Sequence, residues 1–225
     1  KSRQKCNKII LFQILKLKTT FYETITFNLL TKGWRGVYIE GDEEKFNDLL
    51  KLKEDFSDRL HTICAFVNHE GPNTLVELLL GTDMSKDFDL LSIDIDSFDW
   101  HVWYSLINYQ PKVVIIEINS SIPPGIFQTH RDRDIMGSSF TATLELGKSK
   151  GYTLVCHTGN MFFVRDDYVA AIGLSKVERD FPEVLFDYTW CLTNEIMPHY
   201  RPEAPKKFSK KLKSRVKSLF NRLNP

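Results

Sequence analysis

Three aspartates, Asp94, Asp96 and Asp99, fall within six positions at the end of the apolar run FDLLSIDIDSFDW (88–100). Carboxylates packed that closely repel one another, so a chain keeps them together where a metal ion, a ligand hydroxyl, a cation or solvent balances them. The two-residue period of a strand predicts that Asp94 and Asp96 project from one face of its end. There, either could accept a proton from a reacting hydroxyl. Asp99 opens the helix-period stretch WHVWYSLI and is expected to cap it.

Other acids and amides end other apolar runs. Glu40 and Asp42 follow GVYI, Asn68 closes LHTICAFVN, and Glu117 and Asn119 close KVVIIEIN. A carboxylate in the position of Glu40, at the end of a strand in a nucleotide-binding sheet, can accept two hydrogen bonds from ribose hydroxyls. The bland alternative is a solvated strand end, with Asp42 as the N-cap of the EEKF helix. His101 and His130 stand near the same strand ends.

The elements that would gather these residues are legible as an alternation. Strand-type runs at 8–15, 36–40, 60–68, 88–94 and 112–119 are separated by helix-period stretches at 21–32, 43–56, 73–80 and 99–108. Strands apolar on both faces, joined through helices, imply a parallel sheet covered on each side. In such a sheet ligands bind at the carboxyl ends of the strands, where the acids and amides fall. Beyond Asn119 a polar loop leads to a helix at SSFTATLELGKSK and then to two β-type runs flanking HTGN, a hairpin signal. Residues 174–203 carry aromatic anchors with little period and read as an arm or cap.

The net charge of +1 conceals a division. The eight Lys and Arg after Glu203 meet no acid, and the body carries 22 bases against 29 acids. The tail 204–225 repeats apolar residues at Phe208, Leu212, Val216, Leu219 and Leu223, so residues 206–223 read as a basic amphipathic helix suited to an anionic membrane surface. The acidic body, which would repel a long phosphate track, sets nucleic acid aside as a partner. Four scattered cysteines with no C-x-x-C pair suggest a reducing compartment, and Cys64 and Cys156 read as buried thiols within strands. KIILFQILKLK is too short and too charged for a signal-peptide core, which points to a cytoplasmic protein, peripheral at a membrane through its tail.

The blocks KGWRGVYIEGDEEKFNDLL, DFDLLSIDIDSFDWHVW, PKVVIIEINSSIP, GSSFTATLELGKSKGYTLV and NMFFVRDDY, in that order, resemble class I S-adenosylmethionine-dependent methyltransferases, close to the FkbM-like group. The resemblance runs from about Thr26 to Gly173. It implies a Rossmann-like α/β fold with a mostly parallel seven-stranded sheet and a C-terminal antiparallel hairpin, occupying residues 1–173. It further implies S-adenosyl-L-methionine held by Glu40, Asp42, Phe66, Asn68 and Asp94, with Asp94 and Asp96 as catalytic residues. Glu117, Asn119 and His130 would face the substrate, a sugar, glycan or small-molecule hydroxyl methylated on oxygen. No metal is implied.

Two departures qualify this: Ser97 and Phe98 stand where related sequences tend to show a glycine and an amide after the second aspartate, and the turn after the first strand differs. Members end the first strand with an acid and a glycine-rich turn, because only glycine admits a close backbone approach. Here ILKLKTTFYETI stands in that place, and no glycine precedes Gly33. Two alternatives follow: a methyltransferase-like binding module without activity, and a glycosyltransferase using IDID as a metal-binding D-x-D pair.

Overall fold

The computed structural model describes residues 9–13, 25–131 and 137–193. These fall into two compact units, one ending at Lys112 and the other beginning at Val113.

The first unit alternates strand and helix: β1 (Ile9–Gln13), α1 (Ile25–Thr31), β2 (Arg35–Glu40), α2 (Glu43–Asp55), β3 (Leu60–Cys64), α3 (Leu75–Leu80), β4 (Leu90–Ile93) and α4 (Asp99–Ser105). All four strands are parallel and ordered β3-β2-β1-β4, with Gly36 opposite both Leu60 and Ile10, and Ile10 opposite Leu90. Parallel neighbours require a crossover, and the intervening helices supply it. β2 is buried from Gly36 to Glu40, as a strand covered on both faces must be.

Local chemistry sets the helix ends. α1 stops in a Schellman turn: Trp34 donates its N–H to the Leu29 carbonyl and Gly33 to that of Leu30. Gly33 takes φ 87° there, the left-handed conformation such a turn demands. The next residue, Trp34, is fully buried and fixes where β2 begins. α2 is capped by Asp42 and turns Leu49 and Leu52 inward. α4 buries Val102 and Trp103.

The second unit contains β5 (Val113–Glu117), α5 (Phe140–Ser149), β6 (Tyr152–Thr158), β7 (Asn160–Arg165), a 3-10 turn at Asp166–Ala171, α6 (Lys176–Asp180), a second 3-10 turn at Pro182–Leu185, and α7 (Thr189–Thr193). β7 lies between β5 and β6 and runs antiparallel to both. The HTGN hairpin is present, with Gly159 at φ 88° between Thr158 and Asn160. α5 is buried on most of its circumference, and Gly147 in it admits the ring of Phe163, which a Cβ would strike.

Two sequence expectations need adjusting. β3 ends at Cys64 rather than Asn68, leaving Cys64 exposed instead of buried. β4 ends at Ile93, so Asp94 and Asp96 lie beyond the pleat that was to align them. Residues 174–193, read as an arm or cap, are built from short helical turns. The glycine-free stretch after β1 and the tail 206–223 lie outside the described residues. Among the described residues no helix is long and apolar enough to cross a membrane.

Candidate functional site

Glu40 ends β2 fully buried, 1% exposed. Its Oε1 accepts the backbone N–H of Asp42 at 2.8 Å, while its Oε2 is buried without a hydrogen-bond partner. Burial pushes this carboxyl above the ordinary glutamate range, against the opposing pull of the Asp42 and Gly41 amides and of Lys45. An unsatisfied buried carboxylate oxygen costs on the order of 1–3 kcal/mol or more, a cost that a water or a ligand donor would offset. The chemistry it invites is donation from hydroxyls.

Around Glu40 the expected partners divide. Asp42 is committed to the helix: its Oδ1 accepts the N–H groups of Glu44 at 3.0 Å and Lys45 at 3.1 Å. The capping role weighed from the sequence is therefore the one its Oδ1 fills. Phe66, 66% exposed, lies on the bare face of Gly41, where a Cβ would collide with the ring. Gly41 thus brings an aromatic ring over the residue that follows Glu40. Asn68 is exposed and accepts the N–H of His69 through Oδ1 at 2.8 Å, closing a short turn bridged to Thr74.

At the end of β4, carboxylate oxygens of Asp94 and Asp96 come within 4.8 Å of one another. The alignment comes from a turn rather than from strand pleating, and Asp96 sits at φ 60°, a left-handed conformation that Asp tolerates better than most residues. Asp99 holds this turn. It is the first residue of α4, and its two oxygens accept the backbone N–H groups of Ile95 at 2.8 Å and Ser97 at 3.0 Å. The expectation that Asp99 caps α4 is corrected: the buried carboxylate reaches back to brace the loop carrying Asp94 and Asp96, because two unpaired amides there needed an acceptor. Alongside stands a ring cluster in which His69 stacks on Phe98 (4.7 Å) and His101 lies 5.2 Å from each.

In the second unit Glu117 and Asn119 are half-buried at and just after the end of β5. Asn119 uses Oδ1 to accept the N–H and hydroxyl of Ser121. His130 is buried, and its Nδ1 accepts the N–H of Gly137 at 3.0 Å. The substrate-facing reading of His130 is corrected accordingly: the ring ties the two ends of a loop.

Sequence reasoning missed one node altogether. Ser120 Oγ and His157 Nε2 lie 2.9 Å apart, and His157 Nδ1 accepts the backbone N–H of Asp187 at 2.9 Å. The composition is that of a nucleophile, a base and an acid, but the proton placement is wrong. Because Nδ1 accepts, Nε2 carries the proton and donates it to Ser120, whose hydroxyl donates to the Gly159 carbonyl at 2.7 Å. His157 therefore cannot act as a base toward Ser120. Burial lowers its pKa to about 4, keeping the ring neutral, and it stacks on Phe186 at 4.6 Å. Only the HTGN hairpin signal pointed near it.

A cleft of about 340 Å³ opens at the opposite end of the first sheet, where β2 and β3 begin, lined among others by Arg35, Asp58, Arg59 and Asp83. Its charges answer one another: Arg35 pairs with Asp83 at 3.2 Å, and Arg59 with Asp58 at 3.6 Å and the Leu30 carbonyl at 2.6 Å. Among the described residues, none of the buried unpartnered polar atoms lines this cleft.

No family model matches the sequence, and no curated protein matches it. The strand orders are β3-β2-β1-β4 in the first unit, all parallel, and β5-β7-β6 in the second, antiparallel. Among solved structures the chain is similar to Streptococcus pneumoniae Sp1610, provisionally assigned as a tRNA (m1A22) methyltransferase, at 12% identity over 97% of this chain and 93% of that one, TM-score 0.45. It is similar to TrmK of M. capricolum, solved with S-adenosyl-homocysteine, at 11% identity over 96% and 91%, TM-score 0.42. A third is an S-adenosylmethionine-dependent methyltransferase from Clostridium acetobutylicum ATCC 824, at 8% identity over 71% and 84%, TM-score 0.41. At these scores and identities they carry no part of the functional reading. The expectation that sets nucleic acid aside as a partner is withdrawn, since two of these similar structures are named as tRNA methyltransferase and TrmK.

Proposed function

We propose that the chain is a class I S-adenosylmethionine-dependent methyltransferase of FkbM-like type, acting on the hydroxyl of a sugar, glycan or small molecule. The methyltransferase domain covers 1–173, followed by an arm or cap at 174–203 and a basic tail at 204–225. The single observation that carries the proposal is the buried, unpartnered Oε2 of Glu40 at the carboxyl end of a parallel strand.

The donor set fits the cofactor. Glu40 would accept the two ribose hydroxyls, Oε2 gaining the partner that the fold alone does not supply. Phe66 and Asn68 would border the adenine, and Gly41 leaves the room that lets the Phe66 ring approach. S-adenosylmethionine, when bound, supplies an electrophilic methyl group. Asp94 or Asp96 would take the proton of the acceptor hydroxyl, and Asp99, through the amides of Ile95 and Ser97, fixes the loop from which they act. Glu117 and Asn119 would bound the acceptor.

Calorimetric titration with S-adenosyl-homocysteine tests this directly. The wild type should bind, and Glu40→Gln, which keeps an oxygen for the Asp42 amide, should bind about 100-fold more weakly for the loss of charge-assisted hydrogen bonds. Heat only with a nucleotide sugar and Mn²⁺ would replace the proposal with the D-x-D reading. No heat in either titration would leave a binding module. A methyl-acceptor screen should include tRNA beside glycans, since methylation of RNA alone would overturn the hydroxyl acceptor while leaving the cofactor assignment standing.

A further inference from the structure

The second unit presents an apolar stripe that its own described residues do not cover. Val177, Phe181 and Val184 are 57%, 62% and 47% exposed, and Tyr188 is also exposed. Two backbone hydrogen bonds link the first three across the break between α6 and the following 3-10 turn: Phe181 donates its N–H to the Val177 carbonyl at 2.8 Å, and Val184 donates to that of Phe181 at 3.1 Å. Exposed Asp180 and Glu183 flank the stripe. The neighbouring acids are already used, since Glu178 closes the capping box with Ser175 and Asp187 accepts from Thr189.

The sequence holds a counterpart. Positions 177, 181, 184 and 188 are separated by four, three and four residues, and so are Leu212, Val216, Leu219 and Leu223. The two sets of apolar residues thus recur at matching intervals along the sequence. Charge agrees with shape: Lys210, Lys211, Lys213, Arg215, Lys217 and Arg222 surround the second stripe with no acid among them, opposite Asp180 and Glu183. Reach agrees as well. Eighteen residues separate Thr193, the last described residue, from Leu212, and at about 3.3 Å per residue they span far more than the roughly 17 Å of the first stripe.

We propose that the basic segment 206–223 docks on the Val177–Tyr188 face of its own chain, with Leu212, Val216, Leu219 and Leu223 against Val177, Phe181, Val184 and Tyr188. Lysines from 210 to 217 would then meet Asp180 and Glu183. This inference is independent of the proposed activity. It gives the tail an internal partner in place of the membrane surface its composition suggested.

Zero-length carbodiimide cross-linking of the full chain tests it, using an equal mixture of ¹⁴N- and ¹⁵N-labelled protein and mapping the linked peptides by mass. The expected links join Lys210, Lys211, Lys213 or Lys217 to Asp180 or Glu183, in peptides of a single isotope. Phe181→Glu, at a surface position that should not disturb folding, should reduce their yield about tenfold through loss of one apolar anchor, and circular dichroism would confirm that it folds. Mixed-isotope links would overturn the intrachain proposal in favour of a second copy. Equal yields in the wild type and Phe181→Glu would overturn the docking face. So would absence of these links together with equal binding of both proteins to phosphatidylserine vesicles, or to tRNA.

Discussion

Glu40 in the first unit and His157 in the second are both buried ionisable side chains at strand ends, and they are treated in opposite ways. His157 has a partner on each ring nitrogen, a stacked Phe186 and a neutral state enforced by burial. Glu40 has one oxygen satisfied and the other left buried without a partner. A closed set of hydrogen bonds rigidifies, whereas an open one leaves room for a donor that the described residues do not supply. Composition alone would have favoured the wrong place, since Ser120, His157 and Asp187 carry the residue types of a hydrolase while their protons run in the structural direction.

That contrast predicts that substitutions at the rim change activity with little effect on stability, and substitutions at the node do the reverse. The largest effect should come from Asp94→Asn, which is expected to lower turnover by 10²-fold or more if Asp94 is the proton acceptor. Its thermal midpoint should stay close to wild type, and a fully active variant would remove Asp94 from the mechanism. Glu40→Gln should lose affinity for S-adenosyl-homocysteine as described above, yet unfold in urea at or above the wild-type midpoint, because a buried charge has been removed. A marked loss of stability would make Glu40 part of the scaffold.

The node is probed by acid. The folded His157 has a pKa of about 4, below the roughly 6.5 of the unfolded chain, so the unfolded state binds the extra proton first. Its effect is absent above about pH 6.5 and grows as pH falls, reaching on the order of 3 kcal/mol of lost stability near pH 4. Urea titrations of the wild type and His157→Gln should diverge in slope across that window; parallel curves would show that His157 does not control acid unfolding. The smallest effect belongs to Thr143, buried in α5 with its Oγ1 unpartnered. Thr143→Val should be neutral or stabilising by up to about 1 kcal/mol, and a loss would reveal a bridging water or a partner.

Much of the frame was legible because it follows from period and punctuation. The β-α alternation, the EEKF helix behind Asp42 and the hairpin around Gly159 were each announced by local residues. Glu40 was legible as a candidate because an acid ending an apolar strand has few structural reasons to be there. What escaped depended on long-range placement. Ser120 and His157 are 37 positions apart, and no local pattern brings them together. Asp99 looked like an ordinary helix cap, since reading forward along the chain does not reveal amides waiting behind it. Cys64 sounded buried because the apolar run continues to Val67, but the strand pairing stops with Glu40 opposite Cys64.

The left-handed backbone at Asp96 has a consequence for how this chain can drift. A β-branched or bulky side chain there would strain the turn whatever its charge, leaving glycine, asparagine and aspartate as the cheap occupants. A saturation library at position 96, sorted only for soluble expression, should return those three above all others. Selection for turnover should then narrow the survivors, separating what the bend tolerates from what the reaction requires.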